Sequence, residues 1–211
     1  MNYKSNKFKN KTILITGGTG YFGRHLIAFL IKNFIFKKLI IFSRDEQKHH
    51  KLRELYKNSK IFSKLRFFIG DVRDRDRLNF AFQDCDIVIH AAAIKHVSFA
   101  EENPMECIKT NIIGAENIVH SSLQNNVEKV LALSTDKASN PINLYGATKL
   151  CSDKIFTSAE QIKGNKKIKF SVVRYGNVSG STGSILETLK KNHLENKDTL
   201  NLTDKNMTRF W

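Results

Sequence analysis

The sequence predicts an α/β fold, a doubly wound parallel sheet with helices on both faces. Short apolar runs rich in β-formers alternate with longer stretches of helical period. The runs are apolar throughout, as strands covered on both faces must be. The first run also leads directly into a glycine turn that opens a helix, the junction at which such sheets bind phosphate groups. The fold class is therefore Rossmann-like.

The elements follow in order. Strands are predicted over residues 12–16, 39–42, 66–69, 87–90, 130–134 and 169–174, each a compact apolar or β-branched run. Helices are predicted over 24–34, 47–56, 74–82, 104–124 and 144–162, where apolar positions recur at spacings of three and four. His49 and His50 are expected on the exposed face of the second of these. After Tyr175 come a glycine- and serine-rich loop (176–184), a helix candidate (185–195) and a polar stretch. A dinucleotide-binding domain carrying the chemistry is expected over 1–175, and an incomplete substrate-binding region over 176–211. The finish on Phe210-Trp211 reads as a truncation.

Bulk properties narrow the function. The 41% hydrophobic content is ordinary for a globular protein, and no apolar run reaches membrane-spanning length. The basic N-terminus lacks the apolar core of a signal peptide, so a cytoplasmic protein without membrane contact is expected. Cys85, Cys107 and Cys151 stand far apart with no histidine at ligand spacing, so no metal is expected. The formal charge of +15 is spread along the chain, which argues against nucleic-acid binding and suits an anionic cofactor and a nucleotide-sugar substrate.

Gly17, Gly20 and Gly23 form a Gly-x-x-Gly-x-x-Gly turn, with Thr19, Tyr21 and Phe22 between them. Glycine permits the tight turn and lets backbone amides at the helix N-terminus reach a pyrophosphate. An NAD enzyme usually carries an acid at the end of the second strand, to bind the ribose 2′-hydroxyl. Here Ser43 and Arg44 come first, with Lys48 a turn later, and they offer donors and positive charge to a 2′-phosphate. NADP is therefore the expected cofactor, although Asp45 keeps NAD open. Asp71 and Val72 follow the third strand, where adenine would lie, and Ala91-Ala92-Ala93 after the fourth lets backbone run close to the cofactor.

Tyr145 and Lys149 are four residues apart, on one helix face. A nearby ammonium lowers the phenol pKa and can also hold the nicotinamide ribose, which suits removal of a hydroxyl proton during oxidation. Asp136-Lys137 exceeds what a plain dehydrogenase needs. Once a sugar C4 is a ketone its C5 proton is acidic; Lys137 could remove it while Asp136 protonates the departing C6 oxygen, a 4,6-dehydration.

These residues resemble the extended short-chain dehydrogenase/reductases, and more narrowly the C5-inverting UDP-N-acetylglucosamine 4,6-dehydratases. The likeness runs through Ile13-Leu-Ile-Thr-Gly-Gly-Thr-Gly20, Ser43-Arg-Asp-Glu46, Phe68-Ile-Gly-Asp-Val-Arg-Asp74 and His90-Ala-Ala-Ala-Ile-Lys-His96. It continues through Asn103-Pro-Met-Glu-Cys-Ile-Lys-Thr-Asn111, Leu133-Ser-Thr-Asp-Lys137, Asn140-Pro-Ile-Asn-Leu-Tyr-Gly-Ala-Thr-Lys149, Val173-Arg-Tyr-Gly-Asn-Val178 and Met207-Thr-Arg-Phe-Trp211. Relatives that retain C5 configuration typically carry Asp-Glu where this chain has Asp136-Lys137.

The resemblance implies that Thr135 holds the sugar hydroxyl, Asp136 acts as acid, Lys137 as C5 base, and Tyr145 with Lys149 serves hydride transfer. It implies that Lys95 touches cofactor and substrate, that Val178 joins the cofactor set, and that Asn177, Thr199 and Arg209 join Lys137 on the substrate. The substrate would be UDP-N-acetylglucosamine or a close UDP-sugar, and the product a UDP-4-keto-6-deoxy-L-arabino-hexosamine for pseudaminic acid or capsule. A homo-oligomer is expected, since helices commonly pack between subunits in this superfamily. Two positions depart from the pattern: Ser98 stands where proline is frequent, and Thr182 where an arginine would contact phosphate. The alternatives are a UDP-sugar 4-epimerase, which has no use for Asp136-Lys137, and a truncated, non-catalytic NADP-binding module.

Overall fold

The computed structural model describes residues 5–178, together with residues 180, 189, 192–194 and 206. The chain divides into two units, residues 1–174 and 175–211. The first is built on a six-stranded sheet: β1 (Ser5–Thr16), β2 (Phe34–Ser43), β3 (Leu65–Ile69), β4 (Ile87–His90), β5 (Lys129–Thr135) and β6 (Lys169–Tyr175). Their order is β3-β2-β1-β4-β5-β6, and β1 pairs in parallel with both β2 and β4. The order therefore reverses between β1 and β4, the place where a crevice opens beyond the strand C-termini.

Alternation along the strands sends side chains to two separate cores. Ile13, Ile15, Leu39 and Ile41 pack on one face with Ile27 and Leu30 of α1 (Tyr21–Asn33) and Leu52 of α2 (Glu46–Tyr56). Leu14, Ile40, Phe42, Val88 and Ala132 pack on the other with Leu78 of α3 (Arg75–Ala81), Ile118 of α6 (Gly114–Gln124) and Phe156 of α7 (Leu144–Ile162). Between β4 and α6 run two short helices, α4 (Val97–Glu102) and α5 (Pro104–Ile108). Helix starts follow the sequence locally. Asp45, Asp74 and Asn143 cap α2, α3 and α7 through backbone N–H groups at 2.9 Å, relieving amides that a helix leaves unbonded.

All six expected strands and five expected helical regions are present; α4 is an additional helix that was not expected, and three further differences stand out. First, β1 and β2 reach well beyond 12–16 and 39–42. The added β1 segment buries little and is held by pairing with β2 across two register shifts and by the Phe8–Phe34 ring contact at 5.0 Å. Second, 104–124 is not one uniform helix. A π-helical turn, Lys109–Ile113, separates α5 from α6, and Asn111 within it is drawn to backbone outside the helix. Third, His49 is buried at 4% exposure, and only His50 faces solvent. His49 shares its face of α2 with Leu52 and Tyr56, which pack on the sheet. The helix candidate at 185–195 lies largely outside the described residues.

Candidate active site

The C-terminal ends of the parallel strands bring most of the expected groups to one edge of the sheet. At its centre Thr16 pairs with His90 across β1 and β4. Thr16 Oγ1 accepts from the N–H groups of Ala91 and Ala92 at 3.2 and 3.3 Å, so its own proton goes to His90 Nδ1, 2.8 Å away. His90 is completely buried beside Phe156, and that burial, followed by the nearby Lys149 charge, pushes its pKa down to about 3. The imidazole is thus a neutral wedge under the crevice.

The glycine turn packs directly on this strand end. Gly17 has a φ of +65°, and a Cβ there would come within 2.8 Å of the Ala92 nitrogen. A Cβ on Gly23 would come within 2.5 Å of the Gly18 oxygen, so α1 can start this close to the turn only with glycine there. The N-cap of α1 is Gly20, which offers no side-chain bond, and its first turn holds no acid. This helix end suits an anionic group, and the turn fits a dinucleotide pyrophosphate.

At the end of β2, Thr19 Oγ1 and Ser43 Oγ are 2.7 Å apart. Arg44 lies 3.5 Å from the Asp71 carboxylate, which Arg73 also grips through Nε and Nη2. Partial burial of Asp71 works against ionisation, but its arginine partners outweigh this and hold its carboxyl below the usual range. Lys48 Nζ pairs with Asp45, 2.8 Å away, while the same carboxylate caps α2. Hydrogen bonds from Lys48, first from its side chain, lower the Asp45 pKa. Val72 turns its side chain into the core beneath Gly114, and its carbonyl accepts from Asn117 at 3.0 Å.

Thr135, Asp136 and Lys137 sit at the end of β5, where the chain enters a single 3₁₀ turn, Asp136–Ala138. Thr135 is buried, and its hydroxyl donates to Asp136 Oδ1 at 2.9 Å. The same oxygen accepts from the Lys137 backbone at 2.9 Å and from its ammonium at 3.1 Å. Partial burial would raise the Asp136 pKa, but the bonds from Lys137 and Thr135 prevail and lower it.

Tyr145 and Lys149 project from the first turns of α7. Lys149 is 4% exposed and donates to the Leu133 carbonyl at 2.7 Å, which ties α7 to β5. Desolvation pushes its pKa down to about 8 against the opposing influence of Asp153. Gly146 joins the two groups of residues. A Cβ there would lie 2.5 Å from the Lys137 carbonyl oxygen, so the helix bearing Tyr145 and Lys149 rests directly on the turn bearing Asp136 and Lys137.

Lys95 is exposed on the loop between β4 and α4. Asn177 and Val178 belong to the second unit, and Thr199 and Arg209 lie outside the described residues.

Sequence reasoning passed over several polar groups that build this edge. Asn111 donates to the Ile94 carbonyl and accepts from its N–H, at 3.0 and 2.9 Å, and donates to Thr148 Oγ1 at 3.0 Å, fixing the loop next to Lys95. A poor helix former inside a helical pattern was the available signal. Arg174 bonds Asp153 of α7 at 2.8 Å and Ser139, just past the 3₁₀ turn, at 3.0 Å; nothing local in the sequence marks that strut.

Comparison with known proteins agrees with this architecture. The family model described as "Polysaccharide biosynthesis protein" matches residues 13–211. A UDP-N-acetylglucosamine 4,6-dehydratase (inverting) of Campylobacter jejuni is 55% identical over 204 residues, covering 97% of this chain and 60% of the relative. A UDP-glucose 4-epimerase of Rickettsia bellii is 44% identical over 206 residues, covering 96% of this chain and 59% of the relative. Among solved structures, Pen from Bacillus thuringiensis superposes with a TM-score of 0.85 at 39% identity, over 90% of this chain and 57% of that one. The dTDP-glucose 4,6-dehydratase DesIV from Streptomyces venezuelae, at 21% identity and a TM-score of 0.74 over 88% of this chain and 62% of that one, shares the fold. The chain thus spans about 60% of the length of the curated relatives it matches. It belongs to the polysaccharide biosynthesis protein family, as its resemblance to the C5-inverting UDP-N-acetylglucosamine 4,6-dehydratases implies.

Proposed function

We propose that this chain carries the cofactor site and acid–base groups of an NADP-dependent, C5-inverting UDP-N-acetylglucosamine 4,6-dehydratase. The observation that supports it most is the Asp136–Lys137 pair, 3.1 Å apart, in a turn packed against the helix of Tyr145 and Lys149 through Gly146. The Campylobacter relative bearing that name adds support.

The glycine turn, Thr19, Ser43, Arg44 and the Ala91 backbone would hold the dinucleotide, with Tyr145 and Lys149 at its nicotinamide end. A nicotinamide bound there would take hydride from the sugar C4 and return it at C6. Engagement of Asp45 as a helix cap leaves Ser43 and Arg44 as the nearer groups for a 2′ substituent, which supports NADP over NAD.

Tyr145, as phenolate, takes the C4 hydroxyl proton, assisted by the ammonium of Lys149. At rest Asp136 and Lys137 form an ion pair, which is the wrong protonation state for elimination. A proton shift from Nζ to Oδ1 across 3.1 Å gives a neutral amine and a carboxylic acid, a change favoured when bound substrate displaces water. Lys137 then removes the C5 proton, and Asp136 protonates the C6 oxygen, which leaves as water. This step returns both residues to the ion pair. Lys137 stands on the face from which it took that proton, so protonation of C5 from the opposite face, by solvent, gives inversion.

Lys137→Ala tests the proposal. It should abolish formation of a C6 methyl group and solvent exchange at C5, by about 10³-fold or more, while C4 oxidation still raises absorbance from reduced cofactor. Undiminished dehydration would contradict the assignment. The Rickettsia relative favours a second reading, C4 epimerisation by Tyr145 and Lys149 alone; a galacto-configured product from wild type and Lys137→Ala alike would select it.

A further inference from the structure

The hydroxyl pair at the end of β2 is arranged by a residue outside the expected cofactor set. His49, buried on α2 and edge-on to Phe67 at 6.0 Å, brings Nε2 to 3.1 Å from the Ser43 carbonyl and 3.0 Å from the Ser43 hydroxyl. A carbonyl oxygen only accepts, so Nε2 carries the ring proton and both Ser43 oxygens share it.

Counting protons gives the consequence. Ser43 and Thr19 carry two hydroxyl protons, and the 2.7 Å bond between them uses one. Because Nε2 donates, the ring does not take the second. That proton remains for an acceptor beside the glycine turn. Were Nε2 an acceptor instead, Ser43 would donate to it, Thr19 would donate to Ser43, and neither proton would be left. Asp45, two residues past Ser43, is already turned into the α2 cap. Arg44, the next residue in the chain, carries its guanidinium 3.5 Å from the Asp71 carboxylate, which Arg73 also holds. A spare donor one residue from that guanidinium, with both acids engaged, matches a group that only accepts.

We propose that His49 is a positioning residue that selects a phosphorylated ribose, by holding Ser43 so that the Thr19–Ser43 pair presents a donor to the 2′-phosphate of the dinucleotide. The proposal rests on the reading of the glycine turn as a dinucleotide site.

The test is calorimetric titration of the 211-residue chain with NADP⁺ and NAD⁺, for wild type, His49→Gln, His49→Met and His49→Met combined with Ser43→Ala. Wild type should prefer NADP⁺. Gln keeps an N–H donor and should retain that preference. Met fills similar space without a donor and should weaken NADP⁺ by about tenfold while changing NAD⁺ less than about twofold. In the Ser43→Ala background, the Met change should add nothing. An unchanged preference in His49→Met, or equal weakening of both dinucleotides, would make His49 a core residue only and overturn the proposal. If the Met variant does not fold, a lost preference in His49→Gln overturns it and a kept one with Ser43→Ala abolishing it sustains it. Folded wild type that prefers NAD⁺ also overturns it, leaving the dinucleotide reading intact; wild type binding neither ends both.

Discussion

Lys149 places an ammonium in a nearly dry position against one carbonyl oxygen, and this has a measurable cost. Its pKa falls from 10.5 to about 8, mainly through desolvation. Folding therefore releases its proton between those values, so this residue's contribution to stability is least favourable below pH 8 and improves as pH rises toward 10.5. A shift of this size corresponds to about 3 kcal/mol, of which the lost bond to Leu133 would return about 1. Lys149→Met should therefore be more stable than wild type by about 2 kcal/mol at pH 7, and the gain should shrink as pH rises past 8. Denaturant unfolding at pH 7 and pH 10 measures both. Equal destabilisation at both values would mean the ammonium is not penalised by burial. Residues of this kind were legible because spacing carries their signal: Tyr145 and Lys149 fall on one helix turn whatever the tertiary structure. His49 was not, because a histidine pair at the start of a charged helix reads as solvated until Leu52 and Tyr56 are counted on the same face.

At the scale of elements, α7 and the β5 turn form one unit. Lys149 ties the helix to the strand, Arg174 bridges Asp153 to Ser139, and Gly146 lets helix backbone and turn backbone touch. Gly146→Ala should force them apart, since a Cβ cannot sit 2.5 Å from the Lys137 oxygen. Turnover should fall by about 10²-fold, with dinucleotide affinity changed less than about twofold. Steady-state rates and titration calorimetry separate the two; unaltered turnover would mean the juxtaposition has no part in the chemistry. The sequence marked most elements because burial on both faces leaves a purely local trace in each strand. It did not mark the π turn at Lys109–Ile113, whose cause is the reach of Asn111 to Ile94, seventeen residues earlier. Nor did it mark the outer half of β1, which is held by its partner strand and not by a core.

For the whole molecule, parallel strands and the order reversal between β1 and β4 gather groups from separate parts of the chain onto one edge. That much followed from the alternation of elements and the glycine turn. The polar foundation under the edge, Thr16 with His90 and Asn111 with Ile94, is made of long-range bonds that no sequence window contains. Proton NMR in deuterated water tests most directly whether this edge dehydrates a UDP-sugar, as proposed. The folded chain, given NADP and UDP-N-acetylglucosamine, should produce a new C6 methyl signal with deuterium at C5. Unchanged substrate in the presence of folded, NADP-binding protein would contradict the account.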